Sequence, residues 1–419
     1  MNELSKSSKL IAALILGFWL ALPGCADEED EALQHARDLL RTSPLIDGHN
    51  DVAWQIREET QGDIEAFGLA RGNEFETDIP KLRAGQVGAQ FWSVWIPGES
   101  TPEDAPRLQL EQIDIVRRMI DAYPDDFELA LTADDIERIF SQGKIASLLG
   151  MEGGYGLNNS MGALRSYYDL GVRYMTLVHN VTLDWVDAGL GEQRHGGLTA
   201  FGRLVVLEMN RMGMMVDLSH TSSAVMHQAL DESKAPVIWS HAAARALVDH
   251  PRNVPDDVLK RISANGGLVM VTFVPSFLSK AVWEMEDKLW ETDAALETTR
   301  ELRDQWRAYD AEFGVVRATI DQLCAHIEHV RDVAGIDHVG IGSDYWGMHD
   351  GPVGLEDASG FPRLFAALIL RGWNDDDLKK LAGQNLLRVM RQVESVAAQL
   401  QRDTSASNAR IAEIDKEAG

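Results

Sequence analysis

From Pro44 onward, short apolar runs alternate with longer stretches of helical period. Eight runs read as strands: Leu45–Asp47, Ala89–Ile96, Ile145–Gly150, Tyr174–Val178, Met214–Leu218, Val237–Ser240, Leu268–Phe273 and Val339–Gly342. Most are continuously apolar rather than alternating, the pattern of parallel strands covered on both faces. Between them lie amphipathic segments such as Leu198–Met212, whose apolar positions include Phe201, Leu204, Val205, Leu207 and Met209, and Val315–Val333. Strand–helix alternation repeated eight times predicts an α/β fold, a (β/α)8 barrel over residues 41–395. Asn374 followed by three aspartates predicts an N-capped helix running to Val393, with acids at its positive end.

Four segments lie outside that repeat. Residues 279–314, with Trp283, Trp290 and Trp306, read as a charged helical insertion between the seventh and eighth strands. Residues 396–419 are polar and are expected to fray. At the other end, Lys6 and Lys9 precede the apolar run Leu10–Leu22, then Pro23, Gly24 and Cys25. A basic start, an apolar run and small residues form a secretory signal, and the run is short of the about 20 apolar residues a membrane span needs. Leu22-Pro23-Gly24-Cys25 resembles a bacterial lipobox, although Pro23 is an unusual occupant. That implies export, with Cys25 as lipid attachment site. Residues 26–40 read as an acidic tether and the start of the first helix. The expected location is the periplasm or cell envelope.

Composition narrows the function classes. The 419 residues carry 39 Lys+Arg against 66 Asp+Glu, a formal net charge of -27. Nucleic-acid binding and polybasic membrane binding both need a basic face, so both are disfavoured. With Cys25 lipidated, the other cysteine, Cys324, has no disulfide partner and reads as an inert buried thiol.

The chemistry gathers where the strands end, the face on which barrels of this class carry their active sites. The first strand ends in Asp47-Gly48-His49-Asn50-Asp51, the third in Met151-Glu152-Gly153-Gly154 and the fourth in His179-Asn180. The fifth ends in Asp217-Leu218-Ser219-His220, the sixth in Ser240-His241 and the eighth in Ser343-Asp344. His49 and Asp51, two apart on extended chain, can converge on one ion. His220 and His241 end neighbouring strands and can hold a second, with Glu152 placed to bridge the two. Imidazoles with carboxylates suit zinc better than calcium. The remaining histidines, His195, His227, His250, His326, His329, His338 and His349 among them, read as structural.

Six stretches resemble the membrane (renal) dipeptidase family: Pro44–Asp51, Gly150–Gly154, Arg173–Asn180, Val216–His220, Pro236–His241 and Arg252–Asp257. They occur in order from about residue 41 to 393. The resemblance implies a binuclear zinc barrel that hydrolyses dipeptides with a free C-terminal carboxylate, including ones ending in a D-residue, by attack of a metal-bridging hydroxide. By motif, His49 and Asp51 would bind one zinc and His220 and His241 the other, with Glu152 shared. His179 would contact substrate and stabilise the oxyanion, Arg252 would pair with the C-terminal carboxylate, and Asp344 would shuttle the proton. A homodimer is also implied. Two positions depart from the family: Trp346 stands where a second acid often follows Asp344, and Thr272-Phe273-Val274-Pro275 stands where a tyrosine is common. Both are expected to line the substrate pocket. Three other readings compete: a different binuclear barrel amidohydrolase, a dipeptidase-like enzyme tailoring a peptide natural product, and a non-catalytic lipoprotein that binds metal or peptide.

Overall fold

The computed structural model describes residues 23–290, 308, 309, 312, 314, 316–348 and 350–415. The leader, the Cys25 side chain, Trp306, His349 and most of the stretch 291–315 lie outside the described residues. Among the described residues there are nine parallel strands: β1 (Leu45–Asn50), β2 (Val87–Ser93), β3 (Phe127–Leu129), β4 (Ile145–Glu152), β5 (Val172–Thr176), β6 (Met215–Asp217), β7 (Ile238–Ala242), β8 (Leu268–Val271) and β9 (Val339–Ile341). Their order is β2-β1-β9-β8-β7-β6-β5-β4-β3, and β2 also pairs with β4. That extra pairing closes eight strands into a barrel. The eight expected strands are all there, with ends displaced by a few residues.

β3 is the addition. It pairs with β4 at Ile145–Ser147, while β5 pairs with the same strand only from Leu149 onward. β3 therefore covers the backbone edge that β5 leaves open. Three residues, Phe-Glu-Leu, offer too little pattern to be read from sequence.

Two apolar layers hold the barrel. Ile46, Phe91, Leu148, Tyr174, Met215, Ile238 and Met270 fill its interior and meet Leu386, Val389 and Met390 at the floor. The other faces of the strands pack under the surrounding helices. Burial on both faces explains why the strands read as continuous apolar runs.

Several helix bounds differ from expectation for local reasons. The helix expected from Val315 begins at Ile320, because Thr319 and Gln322 form a reciprocal capping box. Asn374 caps Asp375–Lys379 as expected, but a π-helical turn, Lys380–Gln384, follows before Asn385–Asp403. Gly383 in that turn lies so close to β1 that a Cβ would sit 2.4 Å from the Pro44 carbonyl oxygen. The first helix, Pro23–Leu40, takes in the whole acidic stretch and buries Ala32, Ala36, Leu39 and Leu40. Among the described residues no helix is long and apolar enough to cross a membrane.

Fraying after residue 396 is not what the structure shows. The last long helix continues to Asp403, and the chain then docks on the helix Ala200–Met212. The Ser407 N–H donates to Glu208, and Ser407 accepts from Arg165 through its carbonyl. Asp415 accepts from Thr199 Oγ1 at 2.7 Å and from the Phe201 N–H at 3.0 Å, so it caps that helix from outside. The expectation of fraying rests on the scarcity of large apolar residues, whereas polar groups make this docking. Removing residues 404–419, or making Asp415→Ala, should cost about 1–3 kcal/mol and lower the melting temperature. An unchanged melting temperature would show that the docking contributes nothing.

Candidate metal centre

In β1 Ile46 faces the barrel interior, so simple alternation would turn His49 toward the helices. The register of β1 against β2 is irregular between Asp47 and Asn50, and that bulge swings His49 inward. β7 repeats the device. Ile238 faces inward, the register against β8 shifts between Trp239 and Ala242, and His241 joins the interior. β4 needs no irregularity, since Leu148, Gly150 and Glu152 share one parity. Gly150 also makes room for Tyr174, whose ring would lie 2.0 Å from a Cβ at that position. His220 and Asp344 sit just beyond their strands with φ of 65° and 68°, a left-handed backbone uncommon for residues with side chains.

The inferred ligands therefore meet. Glu152 Oε1 lies 3.0 Å from His220 Nε2 and 3.4 Å from His241 Nε2, while Oε2 lies 3.3 Å from His49 Nε2. Asp51 Oδ2 is 3.4 Å and Asp344 Oδ1 is 3.9 Å from the same His49 nitrogen. His179 Nε2 stands 3.7 Å from Glu152 Oε1. Among the described residues three overlapping groups could hold a cation: His49, Glu152 and His241; Glu152, His179 and His220; His49, Asp51 and Asp344.

Hydrogen bonds behind the rings fix their tautomers. His220 Nδ1 is 2.9 Å from Asn180 Oδ1, an acceptor, so that nitrogen carries the proton. His241 Nδ1 is 2.8 Å from Ser240 Oγ, whose own proton goes to Asp217 at 2.6 Å. His49 Nδ1 is 2.8 Å from Tyr174 Oη, which donates to the Gly48 carbonyl. All three Nε2 atoms therefore aim lone pairs into one space, the arrangement of ligand histidines with their outer partners. Two of them, on His220 and His241, stand only 2.9 Å apart. Lone pairs that close repel unless a cation lies between them. His49 Nε2 and Asp51 Oδ1 are buried and have no hydrogen-bond partner. This donor set fits divalent metal, with nitrogen and carboxylate suited to zinc.

The charge balance agrees. Burial would lower His49, but Tyr174, Glu152 and Asp51 hold it well above the ordinary imidazole range. Burial pushes His220 and His241 well below it. For Glu152, burial works upward and the surrounding imidazoles outweigh it, so the carboxyl stays well below its usual range. A cation at this point replaces the proton that the acids draw onto His49. Asp344 is held well above the carboxylate range, by burial first and then by Asp51 and Glu152.

Two buried carboxylates outside the site tie the strands that carry it. Asp47 accepts from Ser343 and Gln90, linking the ends of β1, β9 and β2, and burial pushes it up to about 6. Asp217 accepts from Ser240, Ser219 and Thr176, linking β6, β7 and β5.

The donors open on a cavity of about 330 Å³. Trp54, Trp95, Trp346 and Phe277 supply aromatic walls, with Leu190 and Val274 between them. Arg252 also lines it. Its guanidinium is buried, sits 5.2 Å from the Phe277 ring centre, and is drawn down to about 10 by that burial. Nη2 donates to the His241 carbonyl at 3.4 Å, and Nη1 has no partner. His179 stands edge-on to Trp95 with 19% of its side chain exposed, so it can touch a ligand, and burial lowers its pKa. Tyr155 pins its loop: the N–H groups of His179 and Val181 donate to the phenol, which donates to the Val181 carbonyl.

Trp346 and Val274 line the cavity as expected, but Phe273 does not. It turns away to pack on Tyr345 and Phe361. Tyr174, Asn180, Ser240 and Tyr155 were given no role by sequence, because a tyrosine in a strand reads as core and an amide or hydroxyl beside a histidine carries no signal. The histidines read as structural have such partners: His326 accepts from the Ala244 N–H, His250 from the Arg252 N–H, and His338 bonds the Gly267 carbonyl. Cys324 is buried, and burial pushes its thiol up to about 12.

Residues 33–404 match the family model described as membrane dipeptidase, peptidase family M19. Dipeptidase 3 of Rattus norvegicus is 41% identical over 368 residues, covering 87% of this chain and 68% of that protein. Dipeptidase 3 of Mus musculus is 40% identical over 368 residues, covering 87% and 67%. The crystal structure of the probable dipeptidase PvdM from Pseudomonas aeruginosa superposes with a TM-score of 0.76 at 26% identity, covering 88% of this chain and all of that one. Tyr174→Phe leaves His49 Nδ1 without its oxygen partner and should weaken zinc binding about 10–100-fold in competition with a chelator. Unaltered affinity would mean that Tyr174 does not orient His49.

Proposed function

Because the chain belongs to the membrane dipeptidase family and is a metallopeptidase of the dipeptidase kind, we propose that it works with two zinc ions on dipeptides that have a free C-terminal carboxylate. His49 and Asp51 would hold one ion, His220 and His241 the other, and Glu152 would offer one oxygen to each. When bound, the ions supply a water activated at neutral pH and a Lewis acid for the scissile carbonyl.

The observation that carries the substrate reading is Arg252 Nη1, a buried guanidinium arm without a partner in the cavity of the converging donors. A buried unpaired cation is costly, and a substrate carboxylate would satisfy it. His179, beside Glu152 and facing the cavity, would donate to the carbonyl oxygen as charge develops there. Asp344, which lines the cavity 3.9 Å from His49 Nε2, would take the proton released from water and return it to the leaving amine. The aromatic walls keep bulk water from these groups. D-residues at the C-terminus fall within the proposal, because pairing a carboxylate with Arg252 does not by itself depend on the handedness of the neighbouring Cα. Membership of the dipeptidase family removes the other amidohydrolases and the non-catalytic lipoprotein as competitors. Tailoring of a peptide product differs only in substrate and falls to the same panel.

The basic start, apolar run and lipobox-like Leu22–Cys25 support attachment of the exported protein through a lipid on Cys25. Cys25→Ala should then move the protein from the membrane to the soluble fraction; an unchanged distribution would remove Cys25 as the anchor. For catalysis, zinc-loaded protein should hydrolyse members of a dipeptide panel with L- or D-residues at the C-terminus. Arg252→Ala should raise KM for free dipeptides by about tenfold or more, while slow turnover of C-terminally amidated analogues stays as it was. Equal losses on both substrate sets would refute the clamp, and no turnover of any dipeptide would refute the substrate class.

A further inference from the structure

A second cavity of about 330 Å³ adjoins the first. The two share Asn180, Leu190, Val274, Phe277 and Gly347, so they meet across one wall rather than across the molecule. Each sits near the lower end of the about 300–1,000 Å³ usual for small-molecule sites. Phe277 is the pivot of that wall. Arg252, which lines the first cavity, lies 5.2 Å from its ring centre, and His250, which lines the second, lies 4.5 Å away. If a substrate's terminal carboxylate meets Arg252, its last residue lies beside Phe277, which lines both chambers.

The chamber's chemistry is lopsided. His250 lines it, and burial lowers that imidazole to about 3, so it is neutral. Arg317 is paired with Asp350 at 3.2 Å, and these two charges offset each other. Glu286, on the helix Lys280–Trp290, is held by the Ser276 hydroxyl, and burial pushes it up to about 7. Among the described lining residues it is the one carboxylate without a cationic partner. A half-buried carboxylate in a chamber otherwise walled by Val274, Pro275, Phe277 and Met348 is under-solvated and gains from a cation brought by a ligand.

We propose that this chamber receives the side chain of the substrate's C-terminal residue and that Glu286 selects an amino or guanidinium group there. The proposal rests on the dipeptidase reading and adds a substrate class to it: dipeptides ending in a basic residue. Glu286 is a specificity residue that touches the side chain, away from the reacting atoms.

The test compares kcat/KM of the zinc-loaded full chain for Ala-Arg against Ala-citrulline and for Ala-Lys against Ala-norleucine. Each pair differs in charge with nearly the same reach. Wild type should favour the charged member by about tenfold or more, the size of one charge-assisted hydrogen bond. In Glu286→Gln both ratios should fall toward one. Lys-Ala against norleucine-Ala, with the charge at the N-terminal position, should show no such preference. Wild-type ratios near one, or a preference confined to the N-terminal position, would overturn the proposal without any variant having to fold. Ratios that survive Glu286→Gln would overturn the assignment to Glu286. Turnover of Ala-norleucine with ratios of one leaves the dipeptidase reading standing and removes only this chamber's role; no turnover of any substrate removes both.

Discussion

Three imidazole lone pairs and the oxygens of Glu152 and Asp51 point into one space at the rim of the barrel. That convergence is the constraint around which the rest of the molecule is arranged. Without positive charge it is unfavourable: His220 and His241 present Nε2 atoms 2.9 Å apart, and His49 Nε2 and Asp51 Oδ1 have no partner. Outer groups deny the rings an escape into another tautomer. Asn180, Ser240 and Tyr174 each occupy the nitrogen that would otherwise take the load. The site is thus preorganised for cations by hydrogen bonds that never touch them.

Holding such a site requires departures from regular structure. Two strands break register to turn a histidine inward, and His220 and Asp344 accept left-handed backbone. These departures persist because Asp47 and Asp217 bind the strand ends around them. Each gathers three strands through several hydrogen bonds. Such buried carboxylates are tolerable only when nearly every lone pair is used. The strain and the ties occupy the same rim, as expected where local distortion serves function.

The cavity adds selectivity to reactivity. Its metal-facing side is polar and crowded with acids, while its outer walls are Trp54, Trp95, Trp346 and Phe277. Arg252 sits between the two regions, and burial lowers its pKa without approaching neutrality, so it remains charged. Trp346 adds an apolar face to that wall. The cavity therefore sets a buried guanidinium and carboxylates beside aromatic faces.

Much of this was legible in the chain. Eight apolar runs of strand length, separated by helical periods, dictate a parallel barrel, because buried strands and amphipathic helices leave few other ways to cover both faces. Polar residues at run ends gave His49, Asp51, Glu152, His179, His220, His241 and Asp344, since such residues have no reason to close an apolar strand unless they face something. Sequence could not give β3, the docking of Asp415 on a helix two hundred positions earlier, or the roles of Tyr174, Asn180 and Asp217. Nor could it show that Phe273 points away while Phe277 divides two chambers. Local pattern fixes which residues are buried and which elements form, because those depend on neighbours a few positions away. The direction a side chain takes at a bulge, and the atom it meets across the barrel, depend on closure of all eight strands at once, and only the folded chain decides them.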